Sequence, residues 1–275
     1  MNKSISVLMT TFNRVETTIK CLDALFKADL PENYTLNVII SDSNSPDNTF
    51  EILKKKFPSI IIQNVGNNIY WNQGMIQSWN EAKKSDPDFY LWLNDDTFIN
   101  RDALRNIIKD YFLVSKDSII VGATHFNSVC TYGGRFSKLD ERPLVPNGKP
   151  TKIKYINGNF VLISRKVFNK IGELDNHYSH SLGDIDYGLR VIKKGLNNCI
   201  LPDIIGFCEA NSRLRYDPKS RFIEKIKSLR SPIGLPFKEY FYFNFKHYGL
   251  LKSLKFTIGI IISLVIPMVY NKISK

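Results

Sequence analysis

The cysteines of this 275-residue chain, four in all, form no CxxC pair. Cys21, Cys130, Cys199 and Cys208 are too scattered for a disulfide framework, which points to a reducing compartment. No GxxxxGK followed by Ser or Thr occurs, so a P-loop is excluded. No GxGxxG follows the first apolar run either. "TTFNRVE" contains no glycine, which argues against the usual dinucleotide cradle and against a nucleotidyltransferase with a glycine-rich phosphate loop. His125, His177, His180 and His247 make no HExxH, there is no GxSxG, and no serine or cysteine has the neighbours of an activated nucleophile. The apolar stretch of the opening "MNKSISVLMTTFNR" is too short for a signal peptide, so a cytoplasmic protein is expected.

Carboxylates are scarce at one end. Residues 213–275 hold 13 Lys+Arg against 3 Asp+Glu, so +10 of the formal net charge of +12 sits there and the first 212 residues are nearly neutral. A nucleic-acid binder led by charge would spread basic residues over its body; a basic tail also suits anionic lipid. Hydrophobic content of 43% and aromatic content of 12% are enough for a packed core, and disorder is not expected.

Along the chain, "SISVLMTTF", "YTLNVIISD", "SIIIQNVG", "DFYLWLNDD" and "SIIVGATHF" read as strands. Between them "VETTIKCLDALFKA", "FEILKKKF", "GMIQSWNEAKKS" and "RDALRNIIKDYFLV" read as helices. That alternation predicts an α/β fold with a mostly parallel sheet covered by helices on both faces. Past residue 125 it gives way to turns, a strand "KIKYINGNFVLIS", short helices over "RKVFNKIG" and "DIDYGLRVIKKG", and a last strand pair within "NNCILPDIIGFCEANS".

Ligands of such sheets bind beyond the carboxyl ends of the strands. Those ends read Thr10-Thr11-Phe12-Asn13, Asp42-Ser43-Asn44-Ser45, Asn64 to Asn68, and Asn94-Asp95-Asp96, each mainly polar. Asp95 and Asp96 end a run too apolar for a surface edge; they suit a hard divalent cation and a ribose, or start the next helix as caps. Neighbouring side chains of an extended segment diverge, so the two should not serve one ion equally. Asp42 follows "VII" after one serine and faces the rim, whereas Asp47 and Thr49 suit a turn and a helix start. Asp184 and Asp186 open a helix. They either stabilise its N-terminus, worth ~0.3–1 kcal/mol, or provide a general base.

Four segments in order resemble family 2 inverting glycosyltransferases with a GT-A fold over residues 4–212: "SVLMTTFNR", "DSNSPDNT", "LNDDT" and "GNFVLISRKVFNKIGELD" with "GDIDYGLR". The resemblance implies that Asp42 reads the nucleotide base, with Thr11, Asn13 and Arg14 beside the nucleotide. It implies Asp95 near the ribose, Asp96 as ligand to Mg²⁺ or Mn²⁺, and Asp184 as catalytic base. Gly158, Asn159 and Asp186 would lie on the acceptor side. "NNIYWNQGMIQSWNEA" resembles the Asn/Gly-rich loop and helix of rhamnosyl- and galactosyltransferase-like members from bacterial surface-polysaccharide clusters. Asn68, Trp71 and Gly74 of that stretch would contact substrate, with Trp71 against a sugar face or buried in the core. Three departures stand out: Gly183 replaces a frequent glutamate, Asn94 leaves the acidic segment one charge short, and Cys208 or Glu209 stands where many members carry a metal-binding histidine.

The expected protein is a metal-dependent transferase, hexosyl- or deoxyhexosyl-specific. It would move sugar from a UDP- or dTDP-sugar to a glycan hydroxyl, on an acceptor that is free or polyprenyl-diphosphate-linked, in capsule, O-antigen or other surface-polysaccharide synthesis. Residues 1–125 would form the nucleotide half, 126–212 the acceptor half, and 213–275 a basic, aromatic and apolar helical tail. From Phe256 to Tyr270 that tail has no charge, which is short for a spanning helix but fits an interfacial one flanked by Lys252, Lys255 and Lys272. A peripheral place on the inner membrane face follows, or else packing on the domain or a partner subunit, a homodimer included.

Overall fold

The computed structural model describes residues 2–137, 140, 142–210 and 220–265. The chain runs β1 (Lys3–Thr11), α1 (Val15–Lys27), β2 (Tyr34–Asp42), α2 (Thr49–Lys56), β3 (Ile61–Asn64), α3 (Trp71–Ala82), β4 (Phe89–Leu93), β5 (Phe98–Ile99), α4 (Ala103–Leu113) and β6 (Ser118–Phe126). There follow β7 (Val129–Tyr132), β8 (Gly134–Arg135), β9 (Thr151–Ile153), β10 (Tyr155–Ile156), β11 (Phe160–Ser164), α5 (Arg165–Ile171), α6 (Gly183–Lys193) and β12 (Asn197–Phe207). Three helices come last, α7 (Phe222–Arg230), α8 (Phe237–Tyr248) and α9 (Leu250–Val265).

The main sheet has the order β3-β2-β1-β4-β11-β6-β12-β5. Its first four strands are parallel. Strand residues alternate between two buried layers, as a two-period requires. Ile5, Val7, Met9, Leu91 and Leu93 pack with Leu22 and Leu25 of α1 and Leu104 and Ile107 of α4. Leu8, Ile39, Tyr90 and Trp92 face the other way, onto Met75 and Trp79 of α3 and Tyr187 and Val191 of α6. Burial on both faces is why these strands read as unbroken apolar runs.

Two features differ from the sequence reading. β6 does not continue the parallel run: β11 lies between β4 and β6 and is antiparallel to both. Its five residues are all buried, which suits an interior strand. The expected last pair is a single strand, β12, parallel to β6 with register shifts between Ile200 and Gly206. Pro202 lies in that stretch and has no N–H to give the ladder, which accounts for the break.

The chain forms two compact units. One comprises Met1–Asn176 with Gly183–Ala210, and the other His177–Leu182 with Asn211–Lys275. In the second, His177 stacks on Tyr242 at 4.2 Å between ring centroids, Tyr178 is fully buried against Phe243, and Ser179 donates to Glu239. The segment 177–182 thus belongs with α8 and not with the sheet.

Candidate active site

The strand ends form one rim, held together by backbone and amide contacts. Ser43 N–H donates to the Thr11 carbonyl at 3.1 Å, and Val65 N–H to the Asp42 carbonyl at 2.9 Å. Asn64 Nδ2 donates to Asn44 Oδ1 at 3.0 Å, and Asn44 Nδ2 to Asn67 Oδ1 at 2.9 Å. Asn13, Asn44 and Asn68 take left-handed conformations with φ of 52°, 55° and 59°, a region asparagine tolerates better than most residues. Asp42 is buried and accepts from the Ser45 N–H at 3.1 Å and from the Ser45 hydroxyl, while Asn13 N–H donates to Ser45 Oγ at 2.9 Å. Ser45 therefore joins the first loop to the second. Asp47 takes the turn role expected of it, accepting from Val15 N–H at 2.9 Å and Thr49 N–H at 3.2 Å. Burial pushes its carboxyl up, but the Thr49 hydroxyl and these amides outweigh that and hold it below the usual range.

β4 delivers Asp95 and Asp96 to the same rim. Arg14, from the loop after β1, donates from Nη1 to Asp95 Oδ1 at 3.3 Å and to Asp96 Oδ2 at 3.1 Å. Asp95 is nearly enclosed and also accepts from Thr18 Oγ1 of α1 at 3.3 Å. Burial raises its carboxyl to about 7, with Arg14 opposing and Asp96 adding to the rise. Cys208, just past β12, is buried with its thiol 3.6 Å from Asp96 Oδ1. Burial first, then the Asp96 carboxylate, pushes that thiol up to about 12, so it meets Asp96 as a neutral donor. Glu209 follows it and is exposed. β5 brings these ends together, pairing Phe98 with Phe207 and Ile99 with Gly206.

On the other side of the rim lies Asp184, half-buried in the first turn of α6. Its Oδ2 accepts from the Gly158 N–H at 3.0 Å and its Oδ1 from the Ile185 N–H at 2.8 Å. A Cβ on Gly158 would fall 2.5 Å from the Trp71 ring and 3.3 Å from Asp184 Cβ, so the indole, the glycine and the carboxylate are packed together. Trp71 Nε1–H in turn donates to Asn94 Oδ1 at 2.7 Å. Asn94 is thus more than a missing charge: its amide ties the aromatic beside Asp184 to the residue next to the acidic pair.

Three expected substrate contacts have other surroundings. Gly74 is buried where α3 crosses β1, and a methyl there would overlap the Thr10 hydroxyl. Asp186 is fully buried and paired with Arg190 Nε at 2.8 Å, and the same guanidinium donates to the Ile171 and Glu173 carbonyls. Asn159 is buried and donates weakly to Thr97 Oγ1 at 3.4 Å and Cys208 Sγ at 3.6 Å. The residues not foreseen are Thr18 and Asn72. Asn72 abuts Gly183 at the start of α6 and donates to the Asp175 carbonyl at 2.9 Å. A threonine and a cysteine (Thr18 and Cys21) on the apolar face of α1 were the available signal.

Among the described residues, no group of three or more His, Cys, Asp or Glu could hold a metal ion. Mg²⁺ commonly takes one or two carboxylates and completes its shell with phosphate oxygens and water. Asp96, part-exposed at the rim and paired with Arg14, fits that mode and not a closed protein cage.

A family model described as glycosyl transferase family 2 matches residues 6–172, a span that includes the acidic pair and ends before Asp184 and Cys208. Over 117 residues the chain is 30% identical to the dolichyl N-acetyl-alpha-D-glucosaminyl phosphate 3-beta-D-2,3-diacetamido-2,3-dideoxy-beta-D-glucuronosyltransferase of Methanococcus voltae. That stretch covers 41% of this chain and 35% of that protein, so the match spans about a third of the relative's length. Residues 1–349 of S. aureus TarS, solved in complex with UDP, share the fold with a TM-score of 0.57 over 94% of this chain and 75% of that one, at 16% identity. The strand order, the site at the strand ends and the family match agree: the fold is GT-A, and the chain belongs to glycosyl transferase family 2.

Proposed function

We propose that this protein is an inverting transferase that moves a hexosyl or deoxyhexosyl group from a UDP- or dTDP-sugar to a hydroxyl of a glycan acceptor. The observation that carries the reading is Asp184: a half-buried carboxylate held by the Gly158 N–H, beside an aromatic face, on the rim that also carries Asp95 and Asp96. In the reaction, Asp184 takes the acceptor hydroxyl proton as that oxygen bonds to the anomeric carbon, and the nucleoside diphosphate leaves with the electron pair of the broken bond. One displacement inverts the anomeric centre and needs no enzyme nucleophile. Asp42, Thr11, Asn13 and Asn68 would hold the nucleotide, and Asp95 the ribose. Arg14, part-exposed at the rim, would turn its guanidinium from the carboxylates toward the diphosphate. A Mg²⁺ or Mn²⁺ ion held by Asp96, with Glu209 or Cys208 nearby, would supply Lewis-acid neutralisation of the leaving group.

The acceptor class follows from two supports. The Methanococcus relative is named for a dolichyl-phosphate-linked sugar acceptor, and residues 213–275 carry the basic, apolar composition of a membrane-surface segment. The reading is therefore extension of a polyprenyl-linked glycan of a surface polysaccharide, at the inner face of the cell membrane. Incubation with a panel of UDP- and dTDP-sugars, with and without Mn²⁺, tests it. Metal-stimulated release of nucleoside diphosphate and an inverted product linkage by NMR are expected; a retained anomeric configuration would rule the mechanism out.

A further inference from the structure

Helix α9 carries large aliphatic residues on its exposed side. Its inward stripe is Ser253, Phe256, Ile260 and Ser263, of which Ser253, Ile260 and Ser263 are buried. Phe256 stacks on Phe237 and Tyr240 of α8 at 5.8 and 6.0 Å. Ser253 Oγ donates to the Gly249 carbonyl at 3.2 Å and reaches the Phe241 carbonyl of α8 at 3.4 Å, and Ser263 Oγ donates to the Ile260 carbonyl at 2.8 Å. Lys225 of α7, itself buried, donates to the Ser263 carbonyl at 2.8 Å. The outward stripe is Leu251, Leu254, Ile258, Ile261 and Val265, each 44–77% exposed. The inward side mixes two serines with Phe256 and Ile260, while five large aliphatic residues face outward where a water-facing helix carries polar ones; an apolar outer stripe suits a helix whose outer solvent is hydrocarbon.

We infer that this stripe seats on an anionic lipid bilayer, with α9 lying in the interface. Charge selects the occupant. No Asp or Glu follows Glu239, while Lys246, Lys252 and Lys255 do, the last two exposed beside the stripe. A second copy paired along the same stripe would have no carboxylate in α9 for those lysines; an anionic headgroup layer supplies it. Length sets the mode. Sixteen residues make about 24 Å of helix at ~1.5 Å each, against ~30 Å of hydrocarbon, and no helix among the described residues is long and apolar enough to cross a membrane. This deepens the membrane-surface reading above and needs no turnover to be tested.

The test is flotation of the full chain with vesicles of phosphatidylglycerol and phosphatidylcholine, against phosphatidylcholine alone. Binding is expected to the anionic vesicles and to fall about fivefold for each of Lys252→Gln and Lys255→Gln. The triple variant Leu254→Gln, Ile258→Gln, Ile261→Gln, altered only at exposed positions, should partition at least tenfold less while keeping parental helicity and UDP affinity. Undiminished flotation of the triple variant overturns the assignment, as does failure of the parent to bind anionic vesicles. A concentration-dependent dimer by sedimentation velocity that the triple variant abolishes, with no flotation, would give the stripe to a second copy. Loss of UDP affinity in the parent would count against the transferase reading and leave the lipid assignment standing.

Discussion

Asp184 accepts two backbone N–H groups, one on each carboxylate oxygen, and these orient it at the start of α6. Asp184→Asn keeps an oxygen for Gly158 but cannot take a proton. Transfer should fall by about 10²–10⁴-fold with UDP affinity unchanged, and calorimetry beside a transfer assay reads both. Trp71→Phe keeps a ring but loses the N–H that Asn94 accepts; Asn94→Ala loses the acceptor. If that bond aligns the wall beside Asp184, each change should lower kcat, and the double variant should be no worse than the poorer single one. Simple additivity of the two effects would show that they act separately. Asp95 adds a pH dependence. Its carboxyl titrates near 7 when folded and near 3.8 when unfolded, so between those values the folded state binds more protons and stability falls as pH rises. In metal-free protein, Asp95→Asn should therefore raise Tm more at pH 8 than at pH 4, with a ceiling of about 4 kcal/mol. An equal gain at both pH values would contradict the assignment.

Elements set where these side chains can be. Gly74 lets α3 lie close on β1, and Gly74→Ala places a methyl on the Thr10 hydroxyl. A loss of about 1–3 kcal/mol in denaturant unfolding is expected, with the m-value unchanged. The first four parallel strands and their helices were readable from the residues because their signals are local: apolar runs, helical spacing, polar strand ends. The insertion of β11 was not, since nothing within "FVLIS" names β4 and β6 as its neighbours or sets their direction. The site followed the same division. Asp95, Asp96 and Asp184 stood out where polar residues end an apolar run or open a helix. Arg14 meeting Asp95, 81 positions away, and Trp71 meeting Asn94 depend on the closed sheet. Asp186 and Gly74 look like site residues in one dimension and are packing residues in three.

At the scale of the whole molecule, the three tryptophans, Trp71, Trp79 and Trp92, all belong to the first compact unit. Tryptophan emission therefore reports that unit, while far-UV circular dichroism also counts α7, α8 and α9. UDP with Mn²⁺ at 100 times its Kd should stabilise the emission transition by about 2.7 kcal/mol. If the helical transition moves with it, the two units unfold together; if it stays, each melts alone.

The two-residue strand β5 carries one more implication, for a chain still being made. It ties the segment after Asp96 to the end of β12, and Cys208 comes 112 positions after the aspartate it meets. A nascent chain can shape the first four strands early, but its acidic pair gains this neighbour only once the last strand of the sheet has left the ribosome and docked. Contacts of such long separation form late. Under the transferase function proposed above, donor turnover would be tied to complete synthesis, and chains released short of β12 would not consume nucleotide-sugar.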